Sequence, residues 1–328
     1  MEKVSLEYQA NVVAEDKADF TSRFLVLDYF VFGYTAYIAA FTAIFHETMP
    51  NPLSILALHV FIMTAMVLVP PRGAKWESVP IEGWARHVRG FARFFRYSYP
   101  LLLILFYFEE GHQTVNAIWS DAPHWFEGYL YAADLWVFGQ LPALIMNDWV
   151  GPLQDELLHG FYLSYYFIFV GGVTFAWFGT KGSPQPAPGF QTTLTSVIIA
   201  FFLCFVWYPY LPARGPWENP EIMAGMTSFG GFVFVPVIER IIEHGAVSGG
   251  CFPSSHVAGA WGTVVGLAGF HRQAAFLLGF LALGLSLACV YTRYHHSVDV
   301  AAGFTAALVS ALISYKLTVS KTPTCRFN

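Results

Sequence analysis

Long apolar runs separated by short polar connections dominate this chain. Eight of them approach membrane thickness: 25–45, 53–69, 94–108, 158–178, 194–210, 257–270, 274–291 and 298–315. A helix needs about 20 mostly apolar residues to cross a bilayer. The pattern therefore predicts an all-α, polytopic transmembrane helical bundle of about eight spans. The run 94–108 starts among arginines and contains Pro100. The run 257–270 is short and rich in small residues (Ala258, Gly259, Ala260, Gly262, Gly266, Gly269). Small residues let backbones approach closely in lipid, which predicts a helix inside the bundle. Two other segments do not read as simple spans. Residues 125–146 are aromatic-rich and include Asp134 and Pro142, which suits an interfacial or re-entrant helix. Residues 226–244 end in Glu239, Arg240 and Glu243, which predicts a short surface helix. Three prolines within 182–189 exclude a helix there.

Composition strengthens the membrane reading. Of 328 residues, 55% are hydrophobic and only 12% charged; a soluble domain carries about 25% charged residues. The net charge of -5 gives no reason to expect nucleic acid as a partner. The four cysteines (Cys204, Cys251, Cys289, Cys325) form no framework and read as small hydrophobes rather than metal ligands. His59 lies within a span and shows no partner pattern.

The bases set a predicted topology. Arg72, Lys75, Arg86, Arg89, Arg93 and Arg96 crowd the second connection, and no Lys or Arg follows until Lys181. Basic connections stay in the cytoplasm, so the acidic stretch 109–156 is expected outside. The division expected is a cytoplasmic segment 1–23, N-terminal spans with an outer interfacial helix over 24–152, a catalytic core over 153–316, and a cytoplasmic tail 317–328 carrying Lys321 and Arg326. Both termini then face the cytoplasm. The outer, periplasmic or lumenal face receives only three bases: Arg214, Arg240 and Arg293. A base placed against the topology bias fits an anionic ligand.

The candidate chemistry lies near those bases. Residues 251–256 read C-F-P-S-S-H and 291–300 read Y-T-R-Y-H-H-S-V-D-V. His295 and Asp299 stand at i and i+4 and share a helix face. The carboxylate can take the proton of one ring nitrogen and free the other to attack phosphorus. His296 and Asp299, at i and i+3, allow the same arrangement. Ser254 is a good N-cap, and the amides around Ser254 and Ser255 would point at an anion. His256, in that first helical turn, is placed to protonate a leaving oxygen and then deprotonate an incoming water or alcohol. Arg214, in Y-P-Y-L-P-A-R-G-P-W over 208–217, and Arg293 would clamp phosphate oxygens. His159, at i and i+4 from Asp155, is a further candidate for the substrate pocket.

These residues resemble the type-2 phosphatidic acid phosphatase and haloperoxidase superfamily. Pro253, Ser254 and His256 match its P-S-G-H motif, with Ser255 in place of glycine; His295 and Asp299 match its last pair; Arg214 matches the first-motif arginine. Two residues depart from the pattern. Trp207 stands where the first-motif lysine falls, and Cys289 where the last-motif arginine falls, with Arg293 about one helical turn later. R-Y-H-H-S-V-D-V and F-P-S-S-H look like the sphingolipid-synthase branch, closest to inositol phosphorylceramide synthase. D-L-W-V-F-G at 134–139 and D-E-L-L-H-G-F-Y-L-S-Y-Y at 155–166 are similar to that branch's upstream region.

The resemblance implies a phosphotransferase or phosphatase with His295 as nucleophile. It implies a lipid phosphoester as donor, a lipid alcohol or water as acceptor, and no metal or other cofactor. The alternatives are a phosphatase hydrolysing phosphatidate or polyprenyl (di)phosphate, and a transporter without catalysis. A transporter would show broken helices in paired halves, and no such symmetry is visible.

Overall fold

A computed structural model describes residues 24–68, 82–115, 117–119, 124–178 and 187–319. The segment 1–23, Arg72, Lys75, Lys181, most of the proline-rich loop, Lys321, Cys325 and Arg326 lie outside the described residues.

The described residues are helical, with α1 (Val26–Ile44), α2 (Pro52–Leu68), α3 (Trp84–Ser98), α4 (Pro100–Val115), α5 (Glu127–Phe138), α6 (Pro152–Phe178), α7 (Pro188–Phe205), α8 (Phe234–Gly245), α9 (Ser255–Ala268), α10 (Arg272–Tyr291) and α11 (Ser297–Thr318). One-turn helices at Pro142–Ile145 and Pro220–Met223 interrupt the connections. Among the described residues no strand forms; one isolated bridge joins Ala213 to Gly250. Among the described residues five helices are long and apolar enough to cross a membrane: α1, α6, α7, α10 and α11. The apolar α2 is shorter, with 17 residues, and α9 has 14.

One expected span is different in form. Residues 94–108 belong to two helices that meet at Tyr99. Pro100 has no N–H to continue the ladder, so it ends one helix and opens the next. The basic α3 is amphipathic, with Trp84, Val88 and Phe91 exposed. The span expected at 194–210 also shifts toward the N-terminus. Pro188 sits in the first turn of α7, where its missing N–H costs nothing. Segment 125–146 gives α5, closed by Gly139 in the left-handed region at φ +73°. The surface helix expected over 226–244 is α8.

The centre of the bundle is α7, which packs on α9 and α11. Its apolar residues are almost all buried. The small residues of α9 allow this contact. A methyl on Gly259 would meet the Phe201 ring, and one on Gly266 would meet Thr193 Cα. Ser196 Oγ donates to Gly262 O at 2.8 Å across the same seam. His59, unpartnered in the sequence pattern, lies 3.2 Å from Glu110 of α4, both buried. The partner is 51 positions away, beyond the reach of a local pattern.

At one end, α9 and α11 begin side by side. Ser254 N donates to Asp299 O at 3.2 Å. Gly303 of α11 lies so close to Ser254 O that any Cβ there would collide with backbone. Gly303→Ala is therefore expected to destabilise the protein by about 1–3 kcal/mol through overpacking. Gly171→Ala, on α6 with open space around it, is expected to be neutral. Thermal unfolding of both variants in detergent measures the difference.

Candidate active site

The site is built on three chain segments: the α9 N-terminus, the turn between α10 and α11, and the 206–219 loop. Ser254 caps α9, accepting from Val257 N. His256 follows in the first turn. After α10 the chain makes a tight turn in which His295 N donates to Cys289 O at 3.0 Å. Arg293 adopts φ +67°, a left-handed conformation costly for a side chain other than glycine. Trp217 N holds that turn by donating to Arg293 O at 3.0 Å. Gly215 lies against Tyr294 O with no room for a Cβ.

These turns bring the two histidines together. His295 Nε2 lies 3.4 Å from His256 Nδ1 and 3.3 Å from Ser254 Oγ. The ring centroids are 5.5 Å apart. On the other side of the ring, His295 Nδ1 lies 3.5 Å from Asp299 Oδ2. Asp299 is fully buried. A carboxylate there favours the tautomer with the proton on Nδ1, which leaves the Nε2 lone pair facing His256. His256 in turn has Tyr162 Oη at 3.3 Å from its Nε2, and the Tyr165 ring packs beside it.

His296 has a different carboxylate. Its backbone N–H donates to Asp299 Oδ2 at 2.8 Å, but its ring faces Asp134, with Nδ1 3.7 Å from Oδ2. Its Nε2 lies 3.3 Å from Arg214 O. Asp134 also accepts from Ser297 Oγ, Ser297 N and Val298 N, so this α5 residue holds the α11 N-terminus. Burial pushes His296 down, but the Asp134 hydrogen bond and nearby carboxylates outweigh it and leave the imidazole above its usual range. Burial likewise raises Asp134, and bonds from His296 and Ser297 reverse this and leave it below the usual carboxylate range.

A cavity of about 80 Å³ opens beside the pair, lined by His256, His295, Cys251, Tyr162, Trp217 and Glu218 among others. Its size is that of a few water molecules or one phosphate-sized group. The lining contains neither arginine. Arg214 Nε donates to Glu127 Oε1 at 2.8 Å, and the guanidinium lies 4.7 Å from the Trp125 ring centre. About a third of its side chain is exposed. Arg293 is buried and directed elsewhere. Its Nη2 donates to Thr227 O at 2.7 Å and Asn147 Oδ1 at 3.1 Å, over the Phe229 ring.

Asp155 and His159 lie outside this lining. Asp155 accepts from Gly230 N and Tyr291 Oη. His159 Nδ1 lies 2.7 Å from Asp155 O, and its ring packs on Phe229. Glu156, beside them, accepts from Val233 N and Phe234 N and caps α8.

Sequence reasoning missed several contributors. Cys251 is more than a small buried hydrophobe: its Sγ donates to Asp299 Oδ2 at 2.6 Å and lies 3.5 Å from His295 Nδ1. Glu127 and Glu218 carried no motif, and Tyr162 and Trp217 lay within quoted stretches without being singled out. Burial raises Glu218 above the usual carboxylate range, and Ser248 donates to it. The 208–217 prolines were the one available signal that this loop is shaped.

The class defined by fold and site is a membrane-type helical bundle with a paired-histidine, carboxylate-oriented centre. A family model for the PAP2 superfamily matches residues 129–313. The chain belongs to the PAP2 superfamily, a membership consistent with lipid phosphatase or phosphotransferase activity. No curated protein and no solved structure matches it.

The His296–Asp134 pair gives a pH signature. A raised histidine stabilises fully below its unfolded value of about 6.5 and loses this as pH rises through its folded value. A depressed aspartate stabilises above about 3.9 and loses this as pH falls through its folded value. The thermal stability lost in Asp134→Asn is therefore expected to be greatest between roughly pH 4 and 6.5. It shrinks at higher pH but does not vanish, because the bonds from Ser297 and Val298 persist. Melting curves of wild type and variant across pH 4–9 provide the check.

Proposed function

We propose that this protein cleaves or transfers a lipid phosphoester through a phosphohistidine on His295. The supporting observation is the 3.4 Å approach of His295 Nε2 to His256 Nδ1, with Asp299 on the opposite ring nitrogen. Nε2 attacks phosphorus, and the bond from phosphorus to the leaving oxygen breaks. His256, buried beside His295 and protonated only once the phosphoryl anion sits next to it, delivers its proton to that oxygen. Neutral His256 then takes a proton from the acceptor hydroxyl, whose oxygen displaces His295 from phosphorus. Asp299 holds the Nδ1 proton throughout. The amides at the start of α9, near Ser254 and Ser255, supply donors for the phosphoryl oxygens.

In this reading Arg214 leaves Glu127 to grip the phosphate. Its partial exposure leaves room for that exchange, and the phosphoryl group offers two oxygens that suit the bidentate guanidinium fork. Arg293 acts at a distance, by fixing the turn that presents His295. Asp155 and His159 then serve the outer scaffold rather than the substrate.

The acceptor proposed is a lipid alcohol, with transfer of a sphingolipid headgroup in the manner of inositol phosphorylceramide synthase. The aromatic rings lining the cavity, among them Tyr162, Trp217 and Tyr294, support this by offering apolar surface to a lipid acceptor. The likeness of F-P-S-S-H and R-Y-H-H-S-V-D-V to that branch supports it as well. Hydrolysis is the reading if water reaches the phosphohistidine. The site is assigned to the periplasmic or lumenal face, with both termini cytoplasmic, on the distribution of Lys and Arg. Residues 153–316 are assigned to the catalytic core.

The test uses detergent-solubilised protein, a panel of labelled lipid phosphoesters, and assays with and without a lipid alcohol. Wild type is expected to form an acid-labile phosphoryl adduct on His295. His295→Ala is expected to abolish both adduct and turnover. His256→Ala is expected to slow turnover roughly 10²–10⁴-fold. Full turnover by His295→Ala refutes the mechanism. Label appearing on the alcohol marks a transferase; label appearing only as free phosphate marks a hydrolase.

A further inference from the structure

Three chemically different groups meet behind the attacking face of His295. Cys251 Sγ lies 3.5 Å from His295 Nδ1 and 2.6 Å from Asp299 Oδ2, and Nδ1 lies 3.5 Å from Oδ2. All three ligand atoms fall within 4.8 Å of one another and all three residues are buried. We propose that Cys251, His295 and Asp299 form a Zn²⁺ site whose occupation switches the histidine off.

The dimensions suit the ion. Zinc binds thiolate at about 2.3 Å and imidazole or carboxylate at about 2.0–2.2 Å, which puts neighbouring donors of a tetrahedron about 3.3–3.6 Å apart. Two of the three edges already have that length. The third opens by about 0.9 Å once the thiol proton that now bonds Asp299 is lost to the ion's arrival. Thiolate with imidazole also selects zinc over magnesium or calcium. A second observation points the same way. Asp299 Oδ1 is buried without a hydrogen-bond partner, so the carboxylate keeps a second, unused ligand atom. Access exists as well, since Cys251 and His295 both line the cavity. A fourth ligand, water or a phosphate oxygen, can enter from there.

The consequence follows from the imidazole. Neutral histidine carries one ring proton. Coordination through the Nδ1 lone pair places that proton on Nε2, the atom 3.4 Å from His256. Nε2 then has no lone pair for phosphorus, and Asp299 is drawn to the metal. The ion binds as Zn²⁺ with release of one thiol proton to solvent, and nothing is oxidised or reduced. Binding stands on geometry alone, whereas inhibition rests on the phosphohistidine reading.

The test uses the full chain in detergent, stripped of metal, with Co²⁺ as a spectroscopic probe. One Co²⁺ per chain is expected, with tetrahedral visible bands and a thiolate charge-transfer band that Zn²⁺ bleaches. The charge-transfer band is expected to survive Cys204→Ala and Cys289→Ala and to disappear in Cys251→Ser. Zn²⁺ is expected to stop lipid turnover with the midpoint at which it displaces Co²⁺. In Cys251→Ser that midpoint should rise more than about tenfold against the variant's own metal-free rate. Where Cys251→Ser does not fold, zinc-edge X-ray absorption on wild type replaces it, with one sulfur expected at about 2.3 Å. A shell without sulfur, or a thiolate band that persists without Cys251, overturns the proposal. A Cys251-dependent band in a protein that turns over no lipid phosphoester upholds the metal site and refutes the enzymatic reading.

Discussion

The Asp299 carboxylate is the constraint on which the rest of the site depends. It is fully buried, and three groups converge on one oxygen: His296 N, Cys251 Sγ and His295 Nδ1. Its backbone carbonyl accepts from Ser254 N, which fixes the start of α9 against the start of α11. One residue thus sets the tautomer of His295 and the distance between the two imidazoles. A buried charge is tolerable only when such partners surround it. The partners here come from two segments, the 251–254 stretch before α9 and the 295–296 turn, so the charge is satisfied only when α9 and α11 start side by side. Folding and the assembly of the site become the same event.

The same device recurs around it. Asp134 holds the α11 N-terminus, Glu156 caps α8, Asp155 ties the 226–233 loop to Tyr291, and Glu127 holds Arg214. Each carboxylate accepts from N–H groups, hydroxyls or a guanidinium of another segment of the chain. Helix N-termini are where such donors are concentrated. An acidic, base-poor stretch along the chain becomes a set of caps that shape the loops over the histidines. Arg293 shows the cost of this construction. Its left-handed backbone is held because Thr227, Asn147, Phe229 and Trp217 surround it.

Much of this was legible in the chain. Apolar runs located the helices because a membrane core demands unbroken hydrophobic length and internally satisfied backbone. Small residues marked α9 as a buried helix, and Gly259, Gly262 and Gly266 meet α7 as that pattern implies. Pro100 was visible too, but its effect was underestimated: it divides one expected span into α3 and α4. His295 with Asp299 and His256 with its N-cap were readable because each is a local spacing on one helical turn.

What the chain by itself determined was therefore whatever repeats or pairs within a few residues: helical length, apolar faces, caps and the i, i+4 pair. Only the tertiary structure decided which carboxylate each neighbouring histidine faces, because Asp134 lies 162 positions before His296. It alone brought Cys251 to Asp299 and turned both arginine side chains away from the small cavity at the histidines. The physical reason is that hydrogen bonds and ion pairs act over a few ångströms in space. Sequence separation carries no information about that distance once helices fold the chain back on itself.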